Sequence, residues 1–81
     1  MISSIDVKEH ILAIQKSRNG QYATELNLVS INDEPPKYDI RRWDKATGHM
    51  FKGVRLSKEE AEAVAKAILD HLQKTKEDDN E

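Results

Sequence analysis

The residues whose types and spacing could do chemistry lie in the middle of the chain. Lys37, Asp39, Arg41 and Trp43 occupy alternate positions of one short segment, so an extended strand there projects all four from one face. Lys16, Arg18, Lys45, Lys52 and Arg55 lie on or beside neighbouring segments, and the chain's four aromatic rings, Tyr22, Tyr38, Trp43 and Phe51, fall in the same region. Cations that track a phosphate backbone, interleaved with rings that stack on exposed bases, are the two parts of a single-strand nucleic-acid surface. The competing reading makes Tyr38, Trp43 and Phe51 core residues and leaves the cations as a solvated face. Trp43 discriminates, because burying its face would also bury Lys37, Asp39 and Arg41. The candidate nucleic-acid residues are therefore Lys16, Arg18, Lys37, Arg41, Trp43, Lys45, Phe51, Lys52 and Arg55.

Other chemistries find little support. His10, His49 and His71 share no short metal-ligand spacing, so no metal site is expected. There is no cysteine, which removes thiolate chemistry and disulfides. No serine sits in a nucleophile-elbow context, and Gly20, Gly48 and Gly53 are too scattered to form a phosphate loop. The expectation is a non-enzyme without catalytic residues, cofactor or small-molecule substrate.

The elements that must position these residues follow from pattern. Ile11–Ser17 reads as a strand leading into Arg18-Asn19-Gly20-Gln21, where Asn-Gly predicts a type I′ hairpin turn. Residues 22–31 form a second strand, stopped by Asn32-Asp33-Glu34-Pro35-Pro36. Lys37–Trp43 is a third, and Asp44–Gly48 is a polar loop. Met50–Leu56 is a fourth, with Lys52, Val54 and Leu56 on one side. Ser57-Lys58-Glu59-Glu60 is a capping box that opens a helix of roughly five turns. Along that helix Ala61, Val64, Ala65, Ile68 and Leu72 form one apolar stripe, flanked by Leu69.

The expected fold is α+β: a four-stranded antiparallel meander followed by one C-terminal helix. Eighty-one residues allow one small domain, placed at 1–76, with 77–81 as a disordered acidic tail. One helix over four strands makes a thin core, so a homodimer packed through Val64, Ala65, Ile68 and Leu72 is expected. No apolar run reaches membrane-span length, which points to a cytoplasmic protein without a membrane partner. The formal net charge of -2 conceals an asymmetry. Residues 10–56 carry eight bases against five acids, whereas 57–81 carry four bases against eight acids. A polyanion senses the local excess.

Tyr38-Asp39-Ile40-Arg41-Arg42-Trp43, a polar loop with Gly48, and then Lys52-Gly53-Val54-Arg55-Leu56-Ser57 running into a helix form a combined pattern. It resembles the C-terminal domain of the eukaryotic transcriptional coactivator p15 (positive cofactor four). It is more similar to the small bacterial YdbC-like proteins of that superfamily, over roughly residues 9–72. The resemblance implies a helix-packed dimer that binds single-stranded DNA over its sheets with little sequence preference. Position by position, it implies that Arg41 contacts DNA, that Trp43 stacks on a base and that Lys52 is the lysine before the Gly-Val-x-Leu step. Ile31 stands where relatives tend to place an aromatic near the second hairpin turn. The serine- and lysine-rich regulatory region of the coactivator is absent. A protein-interaction module docking a partner on its open sheet, or an RNA-binding protein, are the alternatives.

Overall fold

A computed structural model describes residues 4–79. Four strands, β1 (Ile5–Lys16), β2 (Tyr22–Ile31), β3 (Lys37–Asp44) and β4 (Met50–Leu56), precede one helix, α1 (Lys58–Asp79). The strands pair in sequence order, all antiparallel, as the short connections require. The fold is α+β, as expected.

Three details differ from the sequence reading. β1 begins at Ile5, paired with Ile31, rather than at Ile11, and two of its residues face one of β2 at three points along the pair. Each such bulge breaks the period-2 alternation by which a strand is recognised. The first hairpin forms, but not through a type I′ turn. Gly20 has φ 77° and Asn19 is not left-handed; the Gly20 N–H donates to the Ser17 carbonyl (3.0 Å), and Asn19 Oδ1 accepts from the Gln21 N–H (3.0 Å). Asn19 thus braces the turn with its side chain. The paired positive φ values lie instead at Asn32 (54°) and Asp33 (62°), where the Glu34 N–H donates to the Ile31 carbonyl (3.1 Å), a type I′ geometry. Third, α1 continues through Asp79, so residues 77–79 of the expected tail are helical; 80 and 81 lie outside the described residues.

The capping box closes as its chemistry dictates. The Ser57 N–H donates to Glu60 Oε1 (2.8 Å), and the Glu60 N–H donates to Ser57 Oγ (3.1 Å). These hydrogen bonds, with Lys37 nearby, hold the Glu60 carboxyl below its ordinary range against a smaller effect of burial. Among the described residues the helix meets β3 and β4 of the sheet. No helix among the described residues is long and apolar enough to cross a membrane.

Register divides the sheet into two faces. Ala23, Glu25, Asn27 and Val29 of β2 sit opposite Trp43, Arg41, Asp39 and Lys37 of β3, forming the front. Leu26 opposite Ile40, and Ile40 opposite Val54, belong to the back, the side α1 approaches. Among the described residues the buried apolar side chains are Ala23 and Val29, both on the front. Val54, Val64, Ile68, Leu69 and Leu72 are exposed. The radius of gyration is 15.6 Å, against about 12 Å for a compact chain of this length.

Candidate nucleic-acid interface

The front face is built on a buried carboxylate. Asp39 is 1% exposed and takes a bidentate fork from Arg41, with Nε to Oδ1 at 2.7 Å and Nη2 to Oδ2 at 2.6 Å. Arg41 Nη1 also donates to the Phe51 carbonyl (3.3 Å). Arg55 lies directly opposite Asp39, with Nε 4.0 Å from Oδ2, and donates from Nη2 to the Val29 carbonyl (2.9 Å). Gly53 makes the arrangement fit. A Cβ there would meet the Arg41 Cβ and the Ile40 carbonyl oxygen, so only glycine lets Arg41 lie across β4.

A second group sits beside it. Glu25 Oε2 accepts from Lys45 Nζ (3.0 Å), and Oε1 accepts from Asn27 Nδ2 (3.2 Å). The Asn27 carbonyl oxygen is thereby turned to His10, whose Nδ1 lies 2.7 Å away and therefore carries the proton. Burial pushes the Glu25 carboxyl up, but the hydrogen bonds from Lys45 and Asn27 and the charges of Lys45 and His10 outweigh it, so it lies below the ordinary glutamate range. The β3–β4 loop fixes where Lys45 starts: Asp44 Oδ1 accepts from the N–H groups of Ala46 (3.0 Å) and Thr47 (3.3 Å).

These residues border an open trough. One cleft of about 460 Å³ is lined by Val7, His10, Glu25, Asn27, Trp43 and Lys45. A neighbouring cleft of about 290 Å³ shares His10, Glu25 and Lys45 with it and extends to Lys16. Lys45 Nζ stands 5.9 Å from the Trp43 ring centre. Trp43 is half-buried, and its indole N–H is buried without an acceptor. The premise that charge beside Trp43 keeps its face out of a buried setting does not hold: Asp39 is inside, neutralised by arginine.

The expected residues do not form one surface. Lys16, Lys37, Arg41, Trp43 and Arg55 share the front by register, with Lys45 joining through Glu25; Arg18 is exposed in the β1–β2 turn. Arg41 and Arg55 are engaged by Asp39, with side chains 13% and 21% exposed. Phe51 and Lys52 lie elsewhere. Between the pairs Arg41–Gly53 and Trp43–Met50, β3 has one residue and β4 has two, so Phe51 and Lys52 together face Arg42. The Phe51 ring is 6.2 Å from Tyr22, and the Arg42 guanidinium covers Tyr22 at 4.6 Å, on the back of the sheet. Ile31 pairs with Ile5 at the end of β2 remote from Trp43. Glu25, Asn27 and His10 were not among the expected site residues. The alternation of Glu25 and Asn27 with Leu26 and Leu28 was the available signal.

The expected dimer stripe is solvent-facing in the single chain: Val64, Ala65, Ile68 and Leu72 are all exposed. Its upper part, with Leu26, Tyr38, Ile40 and Leu56, lines an apolar cleft of about 520 Å³ between helix and sheet.

No family model matches the chain. It is similar to an uncharacterized protein of Treponema pallidum (strain Nichols), 41% identical over 51 residues, which cover 63% of this chain and 59% of that protein.

Proposed function

We propose that this protein binds single-stranded DNA as a homodimer, in the front-face trough and largely without regard to sequence. The observation that carries the reading is the trough itself, where the Trp43 indole forms one wall beside the exposed amines of Lys45 and Lys16. A ring and amines so placed suit a base and its phosphates. The resemblance to the p15 and YdbC-like domains supports the same reading. In this proposal Arg41 serves beneath the surface, held by Asp39, and the phosphates fall to Lys16, Arg18, Lys37 and Lys45.

The second copy fits the back. A radius larger than compact, an apolar cleft open between helix and sheet, and a helix stripe facing solvent are complementary needs, and a matching stripe meets all three. A partner of another kind on the back would lack this self-complementarity; the protein-interaction alternative places its partner on the open sheet instead.

Anisotropy titrations with labelled oligo-dT, its duplex and the matching RNA test the reading. About three to four phosphate contacts per protomer give a slope of log affinity on log salt of about -2 to -3. Duplex binds more weakly because its bases are already stacked. RNA binding tighter than DNA would transfer the proposal to RNA. Equal affinity for duplex and single strand, or a slope near zero, would reject it.

A further inference from the structure

We infer that Glu25 makes one position of the bound strand selective for guanine. The inference rests on the single-strand reading above and names what one subsite of that trough recognises.

A surface that attracts phosphate has no evident use for carboxylates, yet this one contains two. Asp39 is accounted for, since its oxygens hold Arg41 and lie beside Arg55, which are themselves largely buried. Glu25 differs. Its side chain is 10% exposed, but its neighbours Lys45 and His10 are 48% and 53% exposed. It also lines the open cleft beside Trp43, which Asp39 does not.

Lys45 is therefore a shared cation. It is a point charge on a flexible stem, and a strand in the trough brings phosphate within its reach. When Lys45 turns to phosphate, Glu25 keeps only the Asn27 amide donor and the neighbouring His10. A nearly buried carboxylate stripped of its ion partner is costly, so whatever fills the cleft is favoured if it supplies N–H groups.

A base lying against Trp43 presents its edge to Glu25, and the four bases differ sharply there. Thymine offers one N–H flanked by two carbonyl oxygens, which a carboxylate repels. Adenine and cytosine each offer one amino group beside a ring acceptor. Guanine alone offers two adjacent donors, N1–H and the 2-amino group, which match the two oxygens of a carboxylate. The other charged groups at the trough, Lys16 and Lys45, attract phosphate from any nucleotide and do not discriminate.

The test uses a labelled 15-mer of dT, alone or with one central dG, dI, dA or dC, titrated by anisotropy at fixed salt and pH 7. The expected result is a gain on the order of tenfold for the dG oligomer over all-dT, within the range for a bidentate pair. Inosine keeps N1–H but lacks the 2-amino group, and loses most of that gain. Glu25→Gln, with its fold checked by circular dichroism, removes a negative charge from the trough and releases Lys45, so it binds oligo-dT at least as tightly as the natural protein and loses the dG preference. If the variant does not fold, the dG against dI comparison on the natural protein decides alone. Equal affinity for dG and dT oligomers overturns the selectivity and leaves the single-strand reading standing. A dG preference that survives Glu25→Gln overturns the role of Glu25. Failure to bind any oligomer overturns both proposals.

Discussion

The two faces of the sheet invert the usual arrangement of a small soluble domain. On the front, Asp39 and Asn27 are each 1% exposed, while on the back and along the helix Val54, Ile68 and Leu72 are about half exposed. The front is polar yet buried, because its carboxylates and its amide have found partners within the chain: Asp39 in Arg41, Glu25 in Lys45, Asn27 in His10 and Glu25; the Trp43 indole N–H and Arg55 Nε have no hydrogen-bond partner among the described residues. The back is apolar yet open, because one helix, which among the described residues meets β3 and β4, cannot cover four strands. Polar side chains saturate one another inside a single chain by choosing register. Apolar surface is saturated only by area, and 81 residues do not supply enough of it. The front pairs its carboxylates within one chain, and it is the back that the proposed second copy would cover.

The sharpest way to break this contrast is to spoil the back alone. Val64→Asp with Ile68→Asp places two carboxylates in the stripe proposed to meet its mate. In a dimer core each costs several kcal/mol, so the variant is expected to be monomeric or unfolded by sedimentation and circular dichroism. A natural protein that sediments as a folded monomer at micromolar concentration would mean that the open back needs no second copy.

Next in size is damage to the front. Asp39→Ala leaves Arg41 and Arg55 largely buried without their carboxylate, an expected loss of about 3–5 kcal/mol in urea unfolding. Adding Arg41→Met is expected to return part of that loss, since an uncharged pair is cheaper than an orphaned charge. If Asp39→Ala costs no more than an ordinary surface substitution, the front is not held by its ion pairs.

Much of this contrast was legible before any coordinates. The back was visible as the stripe from Ala61 to Leu72 and as Leu26, Leu28 and Ile40 at strand spacing. The capping box at Ser57 could be read directly, because all its partners lie within four residues. Asp39 and Arg41, two apart on one strand, were legible as neighbours on one face. Glu25 and Lys45 were not, because they lie 20 positions apart and meet only through the β2–β3 register. Single inserted residues did the remaining harm. Three bulges broke the alternation of β1, and one extra residue in β4 carried Phe51 to the back, where Lys52 already lay by its alternation with Val54 and Leu56. A one-residue shift changes a side chain's face without changing composition or hydropathy, so pattern reading has nothing to register.

That displacement of Phe51 supplies a comparison of rings. Trp43→Ala removes the wall of the front trough and is expected to weaken oligo-dT binding by about 1–3 kcal/mol, with the salt slope nearly unchanged. Phe51→Ala removes a ring that packs near Tyr22 and Arg42 on the back, and is expected to leave affinity within about twofold. Thermal melts run beside the titrations separate lost stacking from lost fold. Equal losses for the two variants would mean that the strand does not distinguish the faces, and the front trough would lose its privileged place.

The smallest expected effect concerns the link between Glu25 and Lys45. Because the folded chain holds the Glu25 carboxyl below its ordinary range, its contribution to stability is fully present above the ordinary glutamate pKa. That contribution is lost as pH falls from there through the lowered folded value. Lys45 is about half exposed, so solvent screening keeps the pair to roughly 1 kcal/mol or less. Lys45→Met removes the stronger of the two hydrogen bonds to the Glu25 carboxylate and the Lys45 charge, leaving Asn27 and His10 against the effect of burial. The Tm of the natural protein is then expected to fall more steeply than that of Lys45→Met as pH drops from about 5 towards 3, with the two curves converging at the acid end. Salt shrinks the difference, as it does for a half-exposed pair. Parallel curves across that window would show that Lys45 does not set the Glu25 ionisation, and the amine would then be free for phosphate at no cost to the front.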